Sequence, residues 1–180
     1  MKATGIVRKV DELGRIVIPK EIRRTLRIRE GEPLEIFTER DGEVIFKKYS
    51  PVGDLQEFAA QLCDSIGKNT GHIAAICDRD SIIAVAGAPR RELLEKRNSA
   101  ELEQLMEQRK SYRYRSGDAR LRVAETVERY HLGVAAPIIA EGDLMGCVML
   151  LMNENDPALS ESEQKLAQTV AGFLGKQMEN

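Results

Sequence analysis

The spacing of apolar positions changes several times along the chain, and each change marks an element. Up to residue 10 the alternation is loose, with Ile6 and Val10 on one side and Val7 on the other, which predicts a strand starting near residue 3. Asp11-Glu12-Leu13-Gly14 reads as a turn in which Gly14 is free to take a positive φ. Arg15-Ile16-Val17-Ile18 is a β-branched run and predicts a second strand. Pro19 ends it and suits the start of a short helix over Lys20–Leu26, where Ile22 and Leu26 fall on one face. Gly31-Glu32-Pro33 breaks the chain. Leu34–Arg40 and Glu43–Lys48 then form a hairpin around Asp41-Gly42, in a register placing Phe37 opposite Phe46 and Thr38 opposite Ile45. Both hairpin faces carry apolar residues, so both need cover. A module of about 48 residues is near the lower limit for a self-sufficient core. It has no cysteine to staple it, and we expect it to complete its core with a second copy of itself.

Beyond Tyr49-Ser50-Pro51-Val52-Gly53 the pattern is that of a larger domain. The expected division is a first domain over 1–50, a linker over 51–55 and a second domain over 56–180. A helix over Asp54–Asn69 has a wide apolar face of Leu55, Phe58, Ala59, Leu62, Cys63 and Ile66. Strands follow over His72–Cys77 and Ser81–Ala86, then a charged helix over Glu92–Lys110 and a strand within Leu121–Val127. Leu132–Ala140 and Leu144–Met152 make an apolar hairpin around Glu141-Gly142-Asp143. The last helix begins at Ser160, with Glu163 completing a capping box. It carries two stripes, Leu166, Val170 and Phe173 beside Ala167, Ala171, Leu174 and Met178. One stripe can cover a sheet and leave the other for a partner helix, or both can be buried within the domain. The element order predicts an α+β sandwich with its sheet in the middle.

Charge adds a functional direction. The chain is mildly acidic at net -2, yet its first 29 residues hold nine Lys or Arg against three Asp or Glu. A basic patch on a small folded module is the electrostatic footprint of nucleic-acid binding. Arginine supplies a planar fork matched to phosphate oxygens and guanine edges. The patch holds no aromatic residue on which single-stranded bases would stack, so duplex DNA is the better partner. The alternative is that Arg23 and Arg24 are merely a solvated helix face.

The string T-G-I-V-R-K-V-D-E-L-G-R-I-V-I-P-K-E-I-R-R-T-L over residues 4–26 resembles the AbrB family of swapped-hairpin transcription regulators, and the likeness extends from residue 1 to about 50. The resemblance implies an intertwined β-barrel-like homodimer built from two interleaved hairpins, with its basic residues facing double-stranded DNA. Carried over by motif position, the DNA-binding set is Arg8, Lys9, Arg15, Arg23 and Arg24. The second domain resembles a GAF domain, a small-molecule or signal-sensing module. That likeness lies in element order and in I-C-D-R-D…I-A-V-A-G and A-A-P-I-I-A-E-G-D-L-M-G-C-V. The combination resembles sporulation transcription factors of endospore-forming bacteria. It implies a homotetramer held partly by the GAF-like domains, a role as activator and repressor, a cytoplasmic location at the forespore nucleoid, and an open place for an unidentified effector.

Other residues offer competing chemistry. Cys63, Cys77 and Cys147 lack metal-ligand spacing, and their number without a signal peptide fits a reducing compartment. Cysteine-dependent catalysis of a GAF-like enzyme is a competing reading, but buried cysteine is usually a small hydrophobe. His72 and His131 have no triad setting, and no phosphate-binding glycine loop occurs. We therefore expect no catalytic residue, no metal and no cofactor. A basic stretch over 109–122, with Tyr112 and Tyr114 interleaved, would be a second nucleic-acid surface, an anionic-effector site or a solvated loop, and we expect it to add little to DNA affinity. Apolar runs of about nine residues fall short of the roughly 20 that span a membrane. A further alternative is an AbrB-type antitoxin, whose tail would be short and order only on a toxin.

Overall fold

A computed structural model of the chain describes residues 4–179. The expected start of the first strand at Ala3 lies outside them. The chain divides at Tyr49/Ser50 into two compact units.

In the first unit, residues 4–19 form no regular element and join no β-ladder. The two strands expected there are interrupted only by the Asp11–Arg15 turn, closed by Asp11 N–H to Arg15 C=O and Gly14 N–H to Asp11 C=O, both 3.0 Å. A strand is stabilised by a neighbour, and this segment has none among the described residues. Helix α1 spans Lys20–Leu26 as its signals predicted. It ends where Arg27 turns left-handed at φ 51°, with the Arg27 N–H bonding the Arg24 carbonyl at 3.3 Å and the Ile28 N–H that of Arg23 at 2.8 Å. Strands β1 (Leu34–Thr38) and β2 (Val44–Lys48) form the hairpin, but with Phe37 opposite Ile45 and Ile36 opposite Phe46. The expected register was one residue off. Glu39 N–H still bonds Glu43 C=O, so the loop has three residues, and Gly42 takes the left-handed position at φ 81°. The slip regroups the faces. Ile36, Phe46 and Val44 now share one face with Leu34, while Phe37 and Ile45 share the other.

The second unit opens with α2 (Pro51–Asp54), so most of the expected linker is helical, and Val52 is fully buried in the core. Helix α3 (Gln56–Thr70) follows, then β3 (Ile73–Asp78) and β4 (Ile82–Ala86). The single helix expected over 92–110 is instead two short ones, α4 (Arg90–Leu93) and α5 (Ala100–Glu107). Between them the chain pairs with the sheet margin. Ile82 N–H bonds Lys96 C=O, Glu95 N–H bonds Ile82 C=O, and buried Asn98 donates from Nδ2 to Asp78 C=O at 2.9 Å. Ser99 then restarts the helix by accepting the Leu102 N–H at 3.1 Å. Strands β5 (Tyr112–Arg113), β6 (Arg122–Ala124), β7 (Val127–Ala140) and β8 (Asp143–Met152) precede α6 (Glu161–Met178).

The sheet order is β4-β3-β8-β7-β5, with β6 also on β7, all antiparallel. One face packs Ala74, Ile76, Val148 and Leu150 against Ala59, Cys63 and Ile66 of α3 and Ala167, Ala171 and Leu174 of α6. The other packs Cys77, Met149 and Leu151 under Leu93, Leu102 and Met106. The result is the expected α+β sandwich. Glycine permits two close approaches: a Cβ at Gly146 would overlap the Cys77 carbonyl oxygen, and one at Gly175 that of Ile139.

Candidate nucleic-acid interface

The turn and helix of the first unit present the expected cations. Arg8, Lys9, Arg15, Arg23 and Arg24 are all exposed. Among the described residues, Arg8, Lys9, Arg23 and Arg24 form no ion pair, so their charge is open to solvent or to an anion. Arg15 is different. Its Nε donates to Asp11 Oδ2 at 2.7 Å, yet the side chain stays 70% exposed. Arg23 and Arg24 lie in the last turn of α1, the negative end of the helix dipole, where cations are favoured. The structure thus joins Arg15 to its own turn and Arg23 to Arg24 on one helix. No hydrogen bond among the described residues links the two groups.

Other cations of this unit have internal tasks that sequence spacing alone did not reveal. Glu32 is almost fully buried, its side chain 5% exposed, and Arg29 at 3.7 Å and Lys48 at 3.3 Å face its carboxylate. The Arg29 N–H adds a 2.7 Å bond to it. Lys47 sits 4.5 Å above the Phe37 ring. The i,i+3 spacing of Arg29 and Glu32 was visible in sequence; Lys48 joins them only once the hairpin closes.

The basic stretch over 109–122 is occupied in the same way. Arg109 donates to Gly142 C=O at 2.6 Å, Arg120 to Asn153 C=O at 3.1 Å, and Arg122 to Glu101 at 3.3 Å. Arg113 bonds Gln164 Oε1 and Leu159 C=O, each at 3.3 Å. Arg120 also stacks over Tyr114, 5.5 Å from the ring centre. These guanidiniums staple loops to the sheet and α6. Arg113 and Arg115 line an open cleft of about 360 Å³ with Ser111, Tyr112, Asp118 and Gln164.

The cysteines and histidines are the remaining reactive groups. All three cysteines are buried, and burial pushes the Cys63 and Cys147 thiols up to about 12. His131 is held below the usual histidine range by burial first and by Arg120 second. His72 Nε2 lies 3.7 Å from Glu163.

Comparison with known proteins assigns the chain. A family described as stage V sporulation protein T C-terminal, transcription factor, matches residues 54–179. Stage V sporulation protein T of Bacillus subtilis (strain 168) is 49% identical over 179 residues, 99% of each chain. The chain belongs to the stage V sporulation protein T family. Its first unit is also 65% identical over 51 residues to the transition state regulatory protein AbrB of the same organism, covering 28% of this chain and 52% of that one. A second family, described as antidote-toxin recognition MazE, bacterial antitoxin, matches residues 7–54. The fold of the second unit is that of the GAF domain from a phosphoenolpyruvate-protein phosphotransferase of Coxiella burnetii, at TM-score 0.51 and 17% identity over 69% of this chain and 82% of that one. Among the described residues no helix is long and apolar enough to cross a membrane.

Proposed function

We propose that this chain is a transcription regulator of sporulation genes, acting as activator and repressor, that binds double-stranded DNA through Arg8, Lys9, Arg15, Arg23 and Arg24 of a swapped-hairpin homodimer. The observation that carries this reading is the pairing of open cations with open apolar surface on one small unit. Val7, Leu13, Ile16, Val17, Ile36 and Val44 are all 46–89% exposed in the single chain. A second copy interleaving its own extended segment would supply both the missing strand partners and the cover. The cations would then double into a two-fold surface suited to a duplex.

The second unit supports tetramer assembly and leaves room for an effector that biases it. Of the two stripes on α6, Ala167, Ala171 and Leu174 are buried against the sheet, while Phe173 is 44% exposed. The rings of Phe173 and Phe58 of α3 lie tilted with their centres 5.9 Å apart, and in this reading that helix pair is the surface a second dimer would use. We place the protein in the cytoplasm, at the forespore nucleoid. The antitoxin reading is disfavoured because residues 50–179 fold around their own core and match a transcription-factor family over that length. A cysteine-dependent enzyme would need an accessible thiolate, and the three thiols are buried.

Arg24→Ala tests the contact set. We expect it to weaken duplex binding by about 1–3 kcal/mol at matched salt with the melting temperature unchanged. Unchanged affinity would remove Arg24 from the set.

A further inference from the structure

One carboxylate organises the turn that carries Arg15. Asp11 Oδ1 accepts the backbone N–H of Leu13 at 3.0 Å and that of Arg15 at 2.8 Å, while Oδ2 accepts the Arg15 Nε–H at 2.7 Å. The same loop is closed by two backbone bonds and by Gly14 at φ 74°. Arg15, with its backbone N–H first and its side chain second, holds the Asp11 carboxyl below its ordinary 3.8, so the group stays ionised at neutral pH. The Nε–H is one of five donors in the guanidinium. Among the described residues the four Nη–H donors make no hydrogen bond, and they belong to a side chain that is 70% exposed.

As a bare charge, Asp11 is unfavourable on a surface that meets phosphates, because a carboxylate repels DNA. Its hydrogen bonds give it the opposite effect. An unrestrained arginine loses its rotamer freedom when it docks, whereas one already held has lost it beforehand. We propose that Asp11 is a positioning residue for DNA recognition, gripping Arg15 by its inner nitrogen so that the outer Nη fork is presented to the duplex. This rests on Arg15 being a DNA contact.

The sign of one substitution separates the two roles. Asp11→Asn keeps an oxygen for the Leu13 and Arg15 N–H groups, so the turn is preserved, but its amide cannot accept from Nε. Removing a negative charge would tighten binding if charge alone mattered. Positioning predicts weaker binding, by roughly two- to tenfold. The experiment uses the full chain and a fluorescent duplex enriched from a random pool on the unaltered protein, titrated by anisotropy at one salt concentration. We expect Asp11→Asn to weaken binding, Arg15→Ala to weaken it more, and the double variant to match Arg15→Ala alone. Arg15→Lys, which keeps the charge but has no Nε, should lose as much as Arg15→Ala. Normal or tighter binding by Asp11→Asn, with Arg15→Ala weakened, would overturn the positioning role and leave the contact reading intact. Normal binding by Arg15→Ala would overturn the contact reading beneath it. Should Asp11→Asn unfold by circular dichroism, the Arg15→Lys arm decides, and full affinity there overturns the proposal.

Discussion

Residue types that look alike in the sequence do different work according to what lies beside them. Asp78, like Asp11, caps backbone N–H groups of its own turn, its Oδ1 accepting from Asp80 and Ser81 at 2.8 and 2.7 Å, but its Oδ2 accepts the Ser50 hydroxyl where that of Asp11 accepts an arginine. Arg29 and Lys48 neutralise the buried Glu32, whereas Arg23 and Arg24 face outward. The sequence motif supplied the outward cations. It did not distinguish Arg15, which is tied to Asp11, because that pair depends on how tightly the turn closes. The cysteines are small buried hydrophobes, and their burial has a chemical consequence. With the folded Cys63 and Cys147 thiols raised from 9.0 to about 12, alkaline solution ionises the unfolded chain first. Their contribution is full below pH 9 and lost as pH rises towards 12, so unfolding should become easier across that window. Iodoacetamide at neutral pH should label no cysteine until denaturant is added. Rapid labelling of the native protein would contradict the burial.

At the scale of elements, the strongest local signals transferred best. Pro19 before α1, the Ser160–Glu163 box before α6 and the apolar run of β8 each specify their element from neighbouring residues alone. In the box, Glu163 accepts the Ser160 N–H at 2.7 Å and Ser160 Oγ accepts the Ser162 N–H at 3.1 Å. Ser160→Ala should therefore cost about 1 kcal/mol in a denaturant titration, and no change would show the cap to be redundant. Signals that depend on distant partners transferred worst. The charged run over 92–110 has helical composition, but Leu94–Asn98 is drawn into backbone bonds with residues 78–82, a force invisible in local sequence. The β1–β2 register turned on whether the loop holds two residues or three, and Asp41-Gly42 suits both. Gly175 illustrates a constraint of packing: α6 lies so close on β7 that any Cβ meets the Ile139 carbonyl. Gly175→Ala should cost about 3 kcal/mol or prevent folding of the second unit. A melting temperature equal to that of the unaltered protein would refute that close approach.

For the whole molecule, the division of labour follows from the charge and apolar patterns together. Residues 1–48 carry twelve basic against nine acidic groups, so the net acidity of the chain belongs to the remainder. The first unit also leaves Phe46 41% exposed and Ile36 62% exposed, surface that a unit of its size does not leave uncovered without a partner. Replacing an exposed side chain on a monomer costs little, whereas a charge placed in a shared core costs several kcal/mol. Phe46→Asp or Ile18→Asp should accordingly abolish dimerisation in sedimentation velocity, and a stable dimer carrying either change would refute the interleaved core. The central claim, that this assembly grips duplex DNA through its cations, is tested most directly by titrating the full chain against the enriched duplex across a salt series. We predict a linear fall of log K with log salt steeper than about -4, from contacts supplied by two copies of the head. Affinity that stays flat across the series, or no binding at its lowest salt, would contradict it.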